Sequence, residues 1–228
     1  MGNSVKTWPK FERPRELLLE MGPDHVSDAG LVAILLRSGT QGKDAVAFAR
    51  ELLNAFGGLR GLFSAGKSEL EKIKGLGPAK IAQLMAAIEV THRRLKEEVI
   101  GKDYVECEKD VIEYLSLSLR DLKEEVFKVL YLNRANCVVA VENLVKGTVD
   151  HAVIYPREVV KRALELGASS LIFVHNHPSG DRKPSNYDLE LTKKLVLACQ
   201  SVDITPLDHI IILPQGFISL KTEIMNLL

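Results

Sequence analysis

Cysteine is scarce and unpaired in this chain. Cys107, Cys137 and Cys199 are odd in number, scattered, and outside any Cys-x-x-Cys spacing. A disulfide framework and a cysteine-built zinc site are thereby excluded, and a reducing compartment is expected. Excess charge of either sign is also missing. Thirty basic and thirty acidic residues cancel, so no global field draws the protein toward nucleic acid or membrane. No apolar run approaches the roughly 18 residues that a bilayer span requires. The opening residues Met1 to Lys6 lack a signal-peptide core, and Lys6 breaks the myristoylation pattern. A cytoplasmic protein without membrane partners is the expectation. Repeats and low-complexity tracts are absent too.

What remains is ordinary globular composition: 228 residues, 46% hydrophobic and 26% charged. That is enough chain for one large domain or two small ones, with a core that needs no staples. The texture changes near residue 100. The first hundred residues carry 15 basic and 12 acidic side chains, the remainder 15 and 18. Over 15–96 apolar residues recur at helical spacing, as in Leu31, Ile34 and Leu35, then Phe48, Leu52 and Phe56, then Ile81, Leu84, Ile88 and Leu95. Ser27 and Asp28 offer N-caps, and Gly39 and Gly57-Gly58 are read as stops. The pattern predicts a small helical domain over 1–100. Beyond it, strands and helices alternate. Strands are expected over 126–132 and 137–141, joined by Asn133 to Asn136 as a hairpin. A helix follows from Pro156 to Leu166, then a buried strand at 171–174, a long helix over 185–201, a second buried strand at 210–213 and an edge strand near 217–220. The fold class is two-domain, mixed α and β, with 101–228 as the α/β domain.

The segment that carries chemistry runs from His175 to Asp188. His175 and His177 stand two apart at the end of a strand, so both imidazoles leave the same face. Open α/β sheets place ligands at such strand ends. Asp188 falls in the first turn of the next helix, where its carboxylate can return to both rings. Two neutral nitrogens and one carboxylate oxygen leave a tetrahedral zinc ion a fourth position for water. A base must then take the water's proton, and Glu124 and Glu125 both stand ahead of a strand. The hydroxyl of Ser185, three residues before Asp188, is a candidate donor to an oxyanion. Ser185 and Asp188 also fit a helix-capping pair, and Asp181 competes as third ligand. His209 beside Asp208 reads as a hydrogen-bonded structural histidine, with service to a metal ligand as the alternative. His25, His92 and His151 have no ligand partners at useful spacing and are read as surface residues.

The pattern His-x-His, ten residues, Asp, with Ser three before that Asp, resembles the JAMM signature of JAB/MPN-type metalloproteases. The wider chain resembles the bacterial RadC family. The likeness covers nearly all of it, including Arg13-Pro14-Arg15-Glu16, Leu35-Leu36-Arg37-Ser38-Gly39-Thr40, Val145-Lys146-Gly147-Thr148, Tyr155-Pro156-Arg157-Glu158 and Leu207-Asp208-His209-Ile210. The resemblance implies a JAB-type α/β domain with cytidine-deaminase-like layering, a zinc ion on His175, His177 and Asp188, and Glu125 rather than Glu124 as the base. The reaction it implies is peptide or isopeptide hydrolysis on a peptide or protein substrate. An HNH nuclease, a nucleobase deaminase and a metallo-β-lactamase are excluded by the neighbouring residues: His175-Asn176-His177 is contiguous, no Pro-Cys-x-x-Cys follows, and Pro178-Ser179-Gly180 stands where Asp-His is needed.

A second motif lies in the helical half. Leu70 to Ile81 reads as helix, tight turn, helix, and resembles a helix-hairpin-helix binder of DNA backbones. Gly75 and Gly77 permit positive φ, and Lys80 adds charge for a phosphate oxygen. The alternative is a compact turn that packs Leu76 into the bundle. A DNA-binding accessory protein of repair or recombination, with a structural or vestigial metal site, is the competing function on this reading.

Overall fold

A computed structural model describes residues 5–146 and 154–227. His151 and the segment 147–153 lie outside the described residues. The chain divides into two compact units, Met1–Thr91 and His92–Leu228. The division falls inside a helix. Leu95 and Val99, on the last turns of that helix, join the core of the second unit, and a continuous helix shows no break in composition where its allegiance changes.

The first unit is helical. It comprises α1 (Pro14–Met21), α2 (Asp28–Leu36), α3 (Ala45–Phe56), α4 (Leu59–Ser64), α5 (Lys67–Leu70) and the greater part of α6 (Pro78–Val99). The starts of α2 and α3 are capped by side chains. Ser27 Oγ accepts from the Gly30 N–H at 3.2 Å, and Asp44 Oδ1 from the Ala47 N–H at 2.8 Å. Each satisfies an amide that the helix itself leaves unpaired. Gly57, at φ +72°, ends α3 as expected. Gly39 does not end α2; Arg37 does, in a left-handed conformation with φ +64°. Gly39 serves instead a close crossing, because a Cβ there would collide with the Lys43 carbonyl. The core gathers Val32, Leu36, Phe48, Leu52, Leu62, Leu70, Leu76 and Leu84. In α2 the buried residues are Ala29, Gly30, Val32, Ala33 and Leu36, while Leu31, Ile34 and Leu35, which mark the helical repeat, are half-buried. That helix is apolar nearly all round, so periodicity did not single out a face.

The second unit carries the tail of α6, then α7 (Glu108–Leu119), β1 (Val126–Leu132), β2 (Val138–Lys146), α8 (Pro156–Glu165), β3 (Ser170–Asn176), α9 (Asn186–Gln200), β4 (Thr205–Leu213), β5 (Gly216–Ser219) and α10 (Lys221–Met225). The sheet runs β2-β1-β3-β4-β5 among the described residues. Only β3 and β4 pair in parallel there; α9 is their crossover. The hairpin between β1 and β2 turns at Asn133 to Asn136. Asn133 Oδ1 accepts from the Ala135 and Cys137 amides, and Asn136 takes φ +55°.

Both central strands, β1 and β3, are buried along their whole length. Their two faces build two cores. Leu130, Leu132, Ile172 and Val174 pack with Val111, Tyr114, Leu115 and Leu119 of α7. Phe127, Val129, Leu171 and Phe173 pack with Val159 and Ala163 of α8 and Leu191 and Leu195 of α9. The unit is therefore a sheet between two helical layers. The sequence reading assigned no element to α7, although Val111, Leu115 and Leu119 repeat at helical spacing. Among the described residues no helix is long and apolar enough to cross a membrane.

Leu115 is fully buried at the centre of the α7 layer. Leu115→Ala is expected to lower stability by about 2–5 kcal/mol. In urea unfolding the midpoint falls and the slope stays the same; an unchanged midpoint would refute the α7 placement.

Candidate metal centre

Strand alternation decides where the two histidines go. In β3 the odd residues Leu171 and Phe173 face the α8–α9 layer, and His175 continues that row, with His177 just past the last strand residue. The His175 ring stacks beside Phe127, centroids 6.2 Å apart at 11°. A loop over 178–184 then leads to α9, which returns across this same face. Its N-cap is Ser185, and Ser185 and Asp188 form a reciprocal capping box. Ser185 Oγ accepts from the Asp188 N–H at 3.1 Å, and Asp188 Oδ2 accepts from the Ser185 N–H at 2.7 Å. The capping pair foreseen in the sequence and the ligand are thus the same carboxylate. The box holds Asp188 in place with no rotamer freedom to lose when a cation arrives.

His175, His177 and Asp188 are buried together. The two Nε2 atoms lie 2.9 Å apart. Asp188 Oδ1 stands 3.3 Å from His175 Nε2, and Oδ2 stands 3.4 Å from His177 Nε2. A tetrahedral ion with bonds of about 2.0–2.2 Å separates its ligands by roughly 3.3–3.6 Å. Both ring–carboxylate distances fall at that value, and the ring–ring distance is a few tenths shorter. His177 Nδ1 faces the Asp181 carbonyl at 2.9 Å. A carbonyl only accepts, so Nδ1 carries a hydrogen; Nε2 then holds a proton toward Asp188 in the charged ring and is bare for a cation in the neutral one. The donor set fits a zinc-type ion.

The electrostatics point the same way. Burial pushes the Asp188 carboxyl up, but hydrogen bonds and charge from His175 and His177, with the Ser185 hydroxyl, outweigh it and hold the group far below the ordinary carboxylate range. The hydrogen bond with Asp188 raises His177 above its usual value against desolvation, helped by the Asp181 carbonyl and the charges of Asp188 and Glu125. A buried ionised carboxylate needs positive charge beside it, which a bound cation or a protonated ring supplies.

Glu125 and Ser185 share an open cleft of about 500 Å³ with His177, Ser179, Asp181, Lys183, Tyr187 and Asp188. Glu124 is exposed and does not line it. Asp181, the competing ligand, is committed elsewhere: its Oδ1 accepts from the Lys183 amide at 2.9 Å, and its carbonyl orients His177. Ser185 Oγ also donates to Asp188 Oδ2 at 2.7 Å. His209 is fully buried, with Nε2 2.8 Å from His175 Nδ1 and Nδ1 2.6 Å from Thr192 Oγ1. Burial, and next the charge of His175, drive its pKa well down. His25 is exposed, whereas His92 is half-buried with Nε2 3.1 Å from the Leu117 carbonyl.

Sequence reasoning passed over Asn176, which sits between the two site histidines and points away from them. Its Oδ1 accepts from the Val126 N–H at 2.8 Å, and its Nδ2 donates to the Glu124 carbonyl at 3.1 Å. The side chain thereby clamps the main chain on both sides of Glu125. The available signal was an asparagine closing a buried strand, a position where an amide needs partners.

In the helical unit, Leu76 is buried in the core. Gly75 needs its left-handed φ of +91°, and a Cβ there would collide with the Thr40 side chain. Gly77 has no left-handed φ and open space where a Cβ would stand. The Lys80 ammonium donates to the Gly39 carbonyl at 2.7 Å and the Gly75 carbonyl at 3.3 Å, and lies 4.9 Å from the Phe48 ring centroid. The cation expected for a phosphate therefore ties the turn together.

A sheet between helical layers, with an open two-histidine, one-carboxylate set at the carboxyl end of a strand, defines a JAB-type domain. Residues 105–225 match the family described as RadC-like JAB domain, and residues 5–82 match UPF0758 N-terminal. The chain belongs to this RadC-like UPF0758 family. A UPF0758 protein of Nitrosospira multiformis, Nmul_A2138, is 48% identical over 209 residues, covering 92% of this chain and 93% of that one. One of Azotobacter vinelandii is 48% identical over 208 residues, with 91% and 93% covered. One of Marinomonas sp., Mmwyl1_0624, is 45% identical over 209 residues, with 92% and 93% covered. None of these names states an activity.

Asn176→Ala is expected to strand the Val126 N–H and the Glu124 C=O without partners, at about 1–3 kcal/mol each. Chemical denaturation reads the stability loss, while zinc affinity stays near wild type because the imidazoles are untouched. A variant as stable as the parent would show that the clamp is idle.

Proposed function

We propose that this protein is a zinc-dependent hydrolase of amide or isopeptide bonds in a peptide or protein substrate. The observation that carries the reading is the buried His175–His177–Asp188 set opening onto a cleft that Glu125 also lines. When bound there, zinc supplies Lewis acidity, which makes water a competent nucleophile near neutral pH. Glu125, which lines the cleft, takes the attacking water's proton on this reading and passes it to the leaving amine. Ser185 is the donor for the developing oxyanion. In this structure its proton points to Asp188 Oδ2, so it must swing from that oxygen toward the substrate. Its amide keeps the carboxylate hydrogen-bonded meanwhile.

The α/β/α layering with one parallel pair supports the cytidine-deaminase-like architecture implied by the resemblance. Three free cysteines, none in a disulfide among the described residues, support a cytoplasmic setting. The DNA-binding reading gains nothing comparable. Affinity for a nucleic-acid backbone comes from several phosphate contacts, and Lys80 already serves two carbonyls.

Metal analysis of purified protein is expected to find one zinc per chain, lost in His177→Ala; equal zinc in both would end the reading. Glu125→Gln is expected to keep the metal and cut turnover of an isopeptide or peptide substrate by about 10²–10⁴-fold. Wild-type turnover in that variant would transfer the base role to another group.

A further inference from the structure

We infer that Thr192 and His209 are positioning residues that set the tautomer of His175, so that its Nε2 is presented bare to the cation. The inference rests on the metal-site reading above. The argument is one of hydrogen-bond direction along four groups. Thr192 Oγ1 lies 2.6 Å from the Asp188 main-chain carbonyl, which can only accept, so the single hydroxyl hydrogen lies on that line. The same Oγ1 is 2.6 Å from His209 Nδ1. Having no second hydrogen, the hydroxyl accepts there, and His209 Nδ1 carries the proton. Were the hydroxyl to donate to His209 instead, two oxygens would face each other at 2.6 Å with no hydrogen between them.

The neutral His209 ring then has its lone pair on Nε2. That atom is 2.8 Å from His175 Nδ1, which must donate. The neutral His175 ring is left with a bare Nε2, 3.3 Å from Asp188 Oδ1 and 2.9 Å from His177 Nε2, so a cation or a shared proton must lie between these acceptors. The relay closes on itself: it starts at the main chain of one ligand residue and ends by orienting another. Thr192 and His209 are both fully buried, so water does not substitute at either joint. Phe127 and Phe173 pack edge-on against the His209 ring, with centroids 5.6 and 6.0 Å away, and fix its plane. His177 receives the equivalent instruction from the Asp181 carbonyl. Each imidazole is therefore oriented from behind by a different element.

Two readouts on the full-length protein test this. Zinc affinity is measured by competition with a chromophoric chelator, and the imidazole tautomers of the metal-free protein by long-range proton–nitrogen NMR. Wild type is expected to show His175 protonated on Nδ1. Thr192→Val removes the hydroxyl at constant shape. It is expected to weaken zinc roughly 10–100-fold and to mix the His175 tautomers, while Thr192→Ser restores both. Weaker zinc with an unchanged tautomer would assign Thr192 a merely structural role and overturn the inference, as would unchanged affinity and tautomer. Should Thr192→Val not fold, the wild-type spectrum still decides: a His175 without a proton on Nδ1 overturns the relay. If wild type takes up no zinc, the metal reading fails alone, and the tautomer comparison still judges the relay.

Discussion

The site depends on one constraint, the burial of β3 on both faces. A strand covered by α7 on one side and by α8 and α9 on the other has no freedom of register, since a one-residue slip would exchange its two apolar rows. The odd row that buries Leu171 and Phe173 must then carry His175 and His177 to the α9 side. The crossover from β3 to the parallel strand β4 brings the N-terminus of α9 over the same strand end. Ligand convergence is thus a by-product of core formation.

Local and catalytic demands meet in few atoms. Asp188 caps α9, takes both donors of Ser185, and still faces two imidazoles. An ionised carboxylate at a helix start is favoured by the unpaired amides there, which helps it remain charged while buried. Asn176 does comparable double service on the opposite face of β3, joining the strand that holds the histidines to the segment that presents Glu125. Asn176 thereby adds to the β1–β3 pairing, where Phe127 stands opposite His175, a further tie between the Glu125 segment and the histidines.

Much of this was legible beforehand. The two central strands, the hairpin at Asn133 to Asn136 and the helix from Asn186 appear where alternation, turn residues and capping put them. These signals are local and strong. The division between the units lies within α6, where no composition break marks it, and α2 is apolar nearly all round, so periodicity named no buried face there. The glycine hairpin shows the limit of motif reading. Gly75, Leu76 and Lys80 make as good a turn as they would a phosphate cradle, and only the position of Gly39, brought close by folding, shows what the lysine holds.

The sequence by itself determined which residues can meet a cation: two imidazoles at strand spacing and a carboxylate at a helix start, all governed by backbone periodicity. Tertiary structure alone decided which atoms of those residues are free. Thr192 and His209 reach the His175 chain of hydrogen bonds from positions 17 and 34 residues apart. The direction of a hydrogen bond between buried rings follows from which neighbour has a proton to give, and that is settled only when α9 and β4 are in place.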